Sequence, residues 1–193
     1  MKKLEILKKE INYIKDSSRR KDLKILIGLL PDYFFEVPAA STGKYHPDFA
    51  QGEGGLVRHT KVAVRIAQEL LANNTVGAKF SDKDKDLIIM ALILHDGVKS
   101  GMEHSKYTKF DHPLLASKLI MENKGKVSLD IDDLRKICSM IESHMGEWTF
   151  DTYQQKEVLP KPKTAEQRFV HMCDYLASRK FLDVKFENNN IVE

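Results

Sequence analysis

The chain has 193 residues, enough for one ordinary domain with a sizeable core. Hydrophobic residues make up 42% and charged residues 31%, a globular balance that excludes a disordered chain. Lys plus Arg is 31 and Asp plus Glu is 28, so the net charge of +3 gives no electrostatic case for nucleic-acid binding.

The opening "MKKLEILKKE" turns acidic at Glu5 and develops no signal-peptide core. Leu4, Leu7, Ile11 and Ile14 predict a first amphipathic helix. Leu23, Ile27 and Leu30 predict a second that ends at Pro31, so residues 1–30 should pack as helices on the main body. Residues 31–53 lack a period and carry Pro38, Gly43, Pro47 and Gly52, which predicts a long loop of the kind usually functional or disordered. Leu56, Ala63, Ile66, Ala67 and Leu70 give a third helix from Gly55 to Asn73–Asn74. Ser81 with Asp84 forms a capping pair for a fourth over Asp82–His95. Its apolar run, Leu87 to Leu94, is shorter than the roughly 20 residues needed to span a bilayer. Asp111 caps a fifth helix with Pro113 in its first turn, and a sixth runs from Asp130 to His144 with a stop at Gly146. The 147–159 excursion holds at most a short strand. Thr164 and Gln167 form a capping box for a seventh helix through Lys180, and "ENNNIVE" (186–193) is expected to fray. Cys138 and Cys173 form no CxxC pair and read as core thiols in a reducing cytoplasm. The sequence predicts one all-α domain, a helical bundle with its main body at 31–185.

Six polar side chains interrupt the apolar faces of these helices. His59 shares a face with Ala63, Ile66 and Leu70; His95 follows Ile88, Ala91 and Leu92; Asp96 follows Ile89, Leu92 and Ile93. His112 precedes Leu115, Ala116 and Leu119, His144 extends Leu134, Ile137 and Ile141, and Asp174 sits between Val170, Ala177 and Phe181. A single histidine on such a stripe is ordinarily a satisfied core residue, and a single inward aspartate is often a cap or an arginine partner. Four histidines and two aspartates turned inward on five helices instead call for a shared cationic partner. Structural zinc takes four ligands, often with cysteines, and neither cysteine has that spacing. Six His/Asp ligands suit two divalent ions with one bridging carboxylate, and imidazole with carboxylate fits Mn, Fe, Zn, Co or Ni.

The segments "GGLVRHT" (Gly54–Thr60), "LHDGVK" (Leu94–Lys99), "FDHPLLA" (Phe110–Ala116), "IESHMGEW" (Ile141–Trp148) and "HMCDYLASRK" (His171–Lys180) carry these residues. In that order and at helix-sized spacings they resemble the HD-domain metal-dependent phosphohydrolase superfamily, over roughly residues 31–185. The loop "FFEVPAASTGKYH" and the segment ending "RFVHMCDYL" are most similar to the HD domain of YhaM-type 3′–5′ exoribonucleases. Those proteins carry an additional N-terminal OB domain, and the expectation here is a chain without it, since residues 1–30 alone precede the loop. The resemblance implies that His59, His95, Asp96 and Asp174 hold one metal and that Asp96 bridges to a second completed by His112 and His144. It further implies that a metal-bridging hydroxide attacks phosphorus, and Lys99 matches the lysine of the HDxxK pattern, placed to contact a phosphate oxygen or the attacking water.

The implied activity is hydrolysis of a phosphomonoester or phosphodiester in a nucleotide or short oligonucleotide, with Asp96 and Lys99 as the catalytic pair. The partner is a small phosphate ester or a nucleic-acid end, with no membrane involved. Lys44, Tyr45 and His46 on the long loop, Arg179 after Asp174, and Trp148 on the excursion are the substrate-binding candidates. Lys180, Phe150 and Tyr153 accompany them, His104 is a further candidate for the second metal, and His171 is placed to support a ligand. Two other readings use the same residues. Some members of the superfamily with this ligand order are di-iron oxygenases, and others are non-catalytic nucleotide-binding modules.

Overall fold

The computed structural model describes residues 3–40 and 46–192. The chain begins with two single helical turns, α1 (Lys3–Ile6) and α2 (Lys8–Ile11). The periodicity predicts one continuous helix; instead the backbone breaks at Leu7, whose φ of −101° and ψ of 16° leave the helical well. The break still lets Leu7, Ile11 and Ile14 reach the core. Helix α3 (Ser17–Leu29) starts where the Asp16 carboxylate accepts from the Arg19 amide at 2.8 Å. It stops because Leu30 precedes a proline and is extended.

The long loop is tied down at both described ends. It contains two 3₁₀ turns, Asp32–Phe35 and Asp48–Ala50, and buries Tyr33 and Phe34. The Ala39 amide donates to the Ala50 carbonyl at 3.0 Å, and the Leu56 amide to the Val37 carbonyl at 2.9 Å. These contacts press the loop onto the start of α4 (Gly55–Ala72). A side chain at Gly55 would collide with the Ala50 carbonyl, so this junction requires glycine.

Helix α5 (Asp82–Leu94) is the axis of the molecule. Its Ser81–Asp84 capping box forms as the sequence predicts, and every residue from Asp86 to Leu94 is buried. A helix apolar on all sides must be surrounded, and α5 is. It packs on α3 and α4, and on α7 (Ile131–Glu142) and α8 (Ala165–Ala177), while α6 (His112–Glu122) packs on α7. Buried Asp86 is satisfied by the Lys15 and Asp16 amides at 2.8 and 3.0 Å and by Arg19 Nε at 3.0 Å, which fixes α3 to the axis.

Asp111 occupies the first position before α6 but makes no side-chain cap, contrary to expectation; Pro113 and the Leu114 amide bond to the Asp111 carbonyl start that helix instead. Thr164 and Gln167 make the predicted capping box, and α8 ends at Ala177, short of Lys180. The excursion after α7 carries a two-residue antiparallel pair, β1 (Phe150–Asp151) with β2 (Lys156–Glu157). Among the described residues no helix is long and apolar enough to cross a membrane.

The tail corrects another expectation. Rather than fraying, β3 (Phe186–Glu187) pairs with β4 (Asn190–Ile191). Asn188 and Asn189 turn the hairpin at φ 47° and 62°, a left-handed conformation that asparagine tolerates. Arg58 donates to the Asn189 side chain at 2.9 Å, Lys61 to that of Asn190 at 3.2 Å, and Phe186 lies against Phe49. Those two cations on α4 anchor it.

Candidate metal centre

The elements around α5 end together at one point. His59 comes from the second turn of α4, His95 and Asp96 from the C-terminal end of α5, and His112 opens α6. His144 lies just beyond α7, and Asp174 in the last half of α8. All four histidines and Asp96 are about 1% exposed or less, and Asp174 is partly buried. The sequence-predicted ligands are thus brought together.

Three of the rings are oriented by the same device. His95 Nδ1 lies 2.7 Å from the Leu92 carbonyl, His112 Nδ1 2.7 Å from that of Lys109, and His144 Nδ1 2.7 Å from that of Ile141. A carbonyl only accepts, so each Nδ1 carries a proton and each Nε2 is turned to the centre, where a neutral ring presents a lone pair. His171 Nδ1 lies 2.7 Å from the His144 carbonyl, which steadies His144 from behind as expected of a supporting residue. The His171 ring also fills the space where a side chain at Gly146 would stand, and Gly146 has a φ of +68°.

The lone pairs then face one another. His112 Nε2 is 3.3 Å from His144 Nε2 and 3.0 Å from Asp96 Oδ1, which His144 approaches to 3.7 Å. On the other side, Asp96 Oδ2 is 3.5 Å from His95 Nε2 and 4.0 Å from His59 Nε2. Asp174 Oδ1 sits 2.9 Å from His59 Nε2 and 3.3 Å from His95 Nε2. His95 Nε2 and Asp96 Oδ1 are buried without a hydrogen-bond partner among the described residues. Atoms each about 2.0–2.2 Å from a common ion would stand roughly 3 Å apart, which is the separation these donors adopt. Two groups of ligand atoms, His59–His95–Asp174 and His95–Asp96–His144, each lie within 4.8 Å of one another. The donor set fits divalent metal, and the Asp96 carboxylate offers one oxygen to each side.

The electrostatics agree. Burial pushes the Asp96 carboxyl up, but the charges of Lys99 and His95 outweigh it and hold it well below the usual carboxylate range. Burial acts likewise on Asp174, which bonds to His59 and His95 bring well below that range. Burial, reinforced by neighbouring His95, lowers His144 to about 3 and keeps it neutral. His95 is held above its ordinary value: burial works to lower it, and the Asp96 and Asp174 carboxylates raise it by more. Lys99 Nζ is 2.6 Å from Asp96 Oδ2.

A cavity of about 300 Å³ opens onto the centre, lined by Asp96, Lys99, His112, His144 and Asp174. Of the substrate candidates, His46 and Trp148 line it, while Lys44 and Tyr45 fall outside the described residues. The His46 ring packs edge-on against His59 at 5.2 Å, and burial lowers it to about 3. Arg179 is not among the lining residues. Its guanidinium lies 4.0 Å over the Tyr175 ring and donates to the Tyr175 carbonyl and to Ser178, so it is already engaged away from the ligand cluster. His104 stacks on Tyr33 at 4.8 Å rather than joining the second ligand group. Tyr153 and Phe150 stand exposed on the β1–β2 hairpin, and Lys180 lines a separate surface hollow with Asp48 and Asp183. Sequence reasoning missed Tyr175, Ser178 and Thr108, which line the cavity. Tyr175 follows a ligand directly, and one residue along a helix turns the side chain about 100° from the ligand face toward the rim.

The HD domain family matches residues 56–179, more than half of the chain and a span that includes all six ligand candidates and Lys99. The chain belongs to the HD domain family, a superfamily composed mostly of metal-dependent hydrolases. No curated protein and no solved structure matches it.

Proposed function

We propose that the protein is a divalent-metal-dependent phosphohydrolase acting on a phosphate ester of a nucleotide or short oligonucleotide. The observation that carries this reading is the division of one buried carboxylate, Asp96, between two sets of facing lone pairs, with an ammonium on the same carboxylate. Two divalent ions held there would supply an activated water and positive charge for the phosphoryl oxygen. His59, His95 and Asp174 would hold one, His112 and His144 the other, and Asp96 would serve both.

The remaining work falls to the chain's own groups. The Nδ1–H bonds to helix-end carbonyls keep the rings in one tautomer and one orientation, so little reorganisation is needed at the reacting phosphate. Lys99, 14% exposed and on the cavity wall, contacts a non-bridging phosphate oxygen and offsets charge as it develops. The cavity volume lies at the small end of the range for ligand sites and suits a nucleotide-sized group. The motif resemblance to the HD domain of YhaM-type exoribonucleases favours an oligonucleotide end among the substrates.

The test is a panel of phosphomonoesters and phosphodiesters offered to metal-stripped protein with Mn, Co, Ni, Fe, Zn or Mg restored. Hydrolysis with a transition metal, abolished by chelator, is expected. A protein that binds two irons, consumes dioxygen with an organic substrate and cleaves no phosphate ester belongs to the oxygenase reading instead.

A further inference from the structure

We infer that Arg58, next to the ligand His59 on α4, is a positioning residue for the metal centre. It gathers the loop before that helix and the C-terminal hairpin into one joint, and so holds His46 against the His59 ring. The inference rests on His59 being a metal ligand and not on which reaction the metals serve.

Among the four ligand histidines, His59 differs in what stands behind its ring. His95, His112 and His144 each direct Nδ1 at a helix-end carbonyl, whereas His59 Nδ1 is buried with no hydrogen-bond partner among the described residues. Its Nε2 lies 2.9 Å from Asp174 Oδ1, but that contact is on the metal side, where both atoms would turn to an ion. The rings packed on it are those of His95, itself a ligand, at 5.7 Å and of His46 at 5.2 Å. His46 meets it edge-on with 76° between the planes, and the Nδ1 of His46 is likewise buried and unpartnered among the described residues. Support for His59 from this side is therefore ring packing, and it is only as firm as the backbone that carries His46.

Arg58 holds that backbone. Its Nε donates to the Phe49 carbonyl at 2.5 Å, one terminal nitrogen to the Gln51 carbonyl at 2.7 Å, and the other to the Glu53 carbonyl at 2.8 Å. The last of these also reaches the Asn189 side chain at 2.9 Å. Four bonds to uncharged oxygens make this guanidinium a template for a backbone path, a task for a planar fork that a lysine ammonium cannot repeat. The path leads back to His46 without slack: Pro47, with φ fixed near −67°, opens the turn Asp48–Ala50, and the Ala50 carbonyl accepts from the Ala39 amide. Gly54 leaves room for the fork. It has a φ of +70°, and a Cβ there would stand 3.0 Å from the Arg58 guanidinium and 3.1 Å from the Asn189 oxygen. The hairpin closes the joint: Phe186 lies against Phe49, and Lys61 donates to Asn190 at 3.2 Å and pairs with buried Glu10 at 3.4 Å. Arg58 and Lys61 thus bracket His59, and both are tied to a tail some 130 residues away in sequence.

The experiment is a cobalt titration followed by absorbance in two parent backgrounds. His112→Ala keeps the His59 side of the centre, and Asp174→Ala keeps the His112–His144 side. Arg58→Lys and His46→Ala should each weaken binding on the His59 side by about 10-fold, the low end for loss of a residue that supports a ligand, and leave the other side unchanged. The two together should be no weaker than the poorer single variant, because one acts through the other. His46→Phe, which keeps the ring edge, should bind like its parent. If Arg58→Lys does not fold in chelator, Asn189→Gly takes its place: it removes one acceptor of the fork at a left-handed position that glycine accepts, and a fall of about 3-fold on the His59 side is expected. Unchanged affinity on the His59 side, equal losses on both sides, additive losses in the double variant, or a His46→Phe protein as weak as His46→Ala would overturn the inference. A His112→Ala parent that binds no cobalt would remove the metal reading and this inference with it. The side-selective loss, in a protein that cleaves no phosphate ester, supports the inference and removes the phosphohydrolase reading.

Discussion

Replacing Asp96 with asparagine separates the metal role of this residue from its structural one. The amide keeps an oxygen that can accept from Lys99, now 2.6 Å from Oδ2, and its NH₂ can donate to the Nε2 lone pairs of His112 or His144 near Oδ1. The metal-free variant should therefore fold. Its affinity for metal should fall, because a shared anionic ligand becomes a neutral one. At a fixed excess of Mn, a 100-fold weaker site forfeits about 2.7 kcal/mol of ligand-linked stability. For a chain of this size that corresponds to about 5–10 °C of the metal-induced rise in melting temperature. The assay is thermal unfolding of wild type and Asp96→Asn, each with chelator and with Mn. Hydrolysis should fall by at least about 100-fold in parallel. A metal-induced shift of undiminished size in Asp96→Asn would refute the placement of this carboxylate between two ions.

Other residues give equally direct tests. Lys99→Ala should leave metal content unchanged and lower kcat by about 100-fold or more, as loss of a charge-stabilising donor does; a fall in bound metal instead would make Lys99 a structural partner of Asp96. In the chelated protein, His144 is neutral in the fold with its value lowered to about 3, so the unfolded chain binds the extra proton first and stability must fall as pH drops from about 6.5 toward 3. His144→Asn should flatten that slope in denaturant titrations at successive pH values. Asp96 and Asp174, held low, contribute stability above about pH 4 that is lost as pH falls through their folded values, whereas His95, held high, contributes stability that fades as pH rises above about 6.5. Truncation after Lys185 removes the acceptors that Asn189 and Asn190 offer to Arg58 and Lys61 and should cost about 2 kcal/mol, read by urea unfolding; a neutral truncation would mean that the hairpin anchors nothing.

Much of the centre was legible because burial and polarity conflict in the sequence itself. His59, His112 and Asp174 break apolar stripes of period 3.6, and His95–Asp96 ends a run so apolar that the helix carrying it had to be central. Caps made by local side-chain bonds, at Ser81 and Thr164, were equally visible. What sequence pattern could not supply was anything set by contacts distant in the chain. Arg179 looks like a phosphate clamp until Tyr175 is found beneath it, and His104 looks like a ligand until Tyr33 takes its ring. The tail is expected to fray as chain termini do, yet its asparagines form a turn and meet two cations on α4. The Asn188–Asn189 pair was the one local signal for that hairpin.

The most direct test of the metal centre is a crystal structure of the Mn-loaded protein with anomalous scattering recorded at the metal edge. Two peaks per chain are expected, about 3.5–4 Å apart, with one Asp96 oxygen directed at each and the imidazole Nε2 atoms completing both. Absence of anomalous density between these side chains, with protein whose activity survives chelation, would contradict the account.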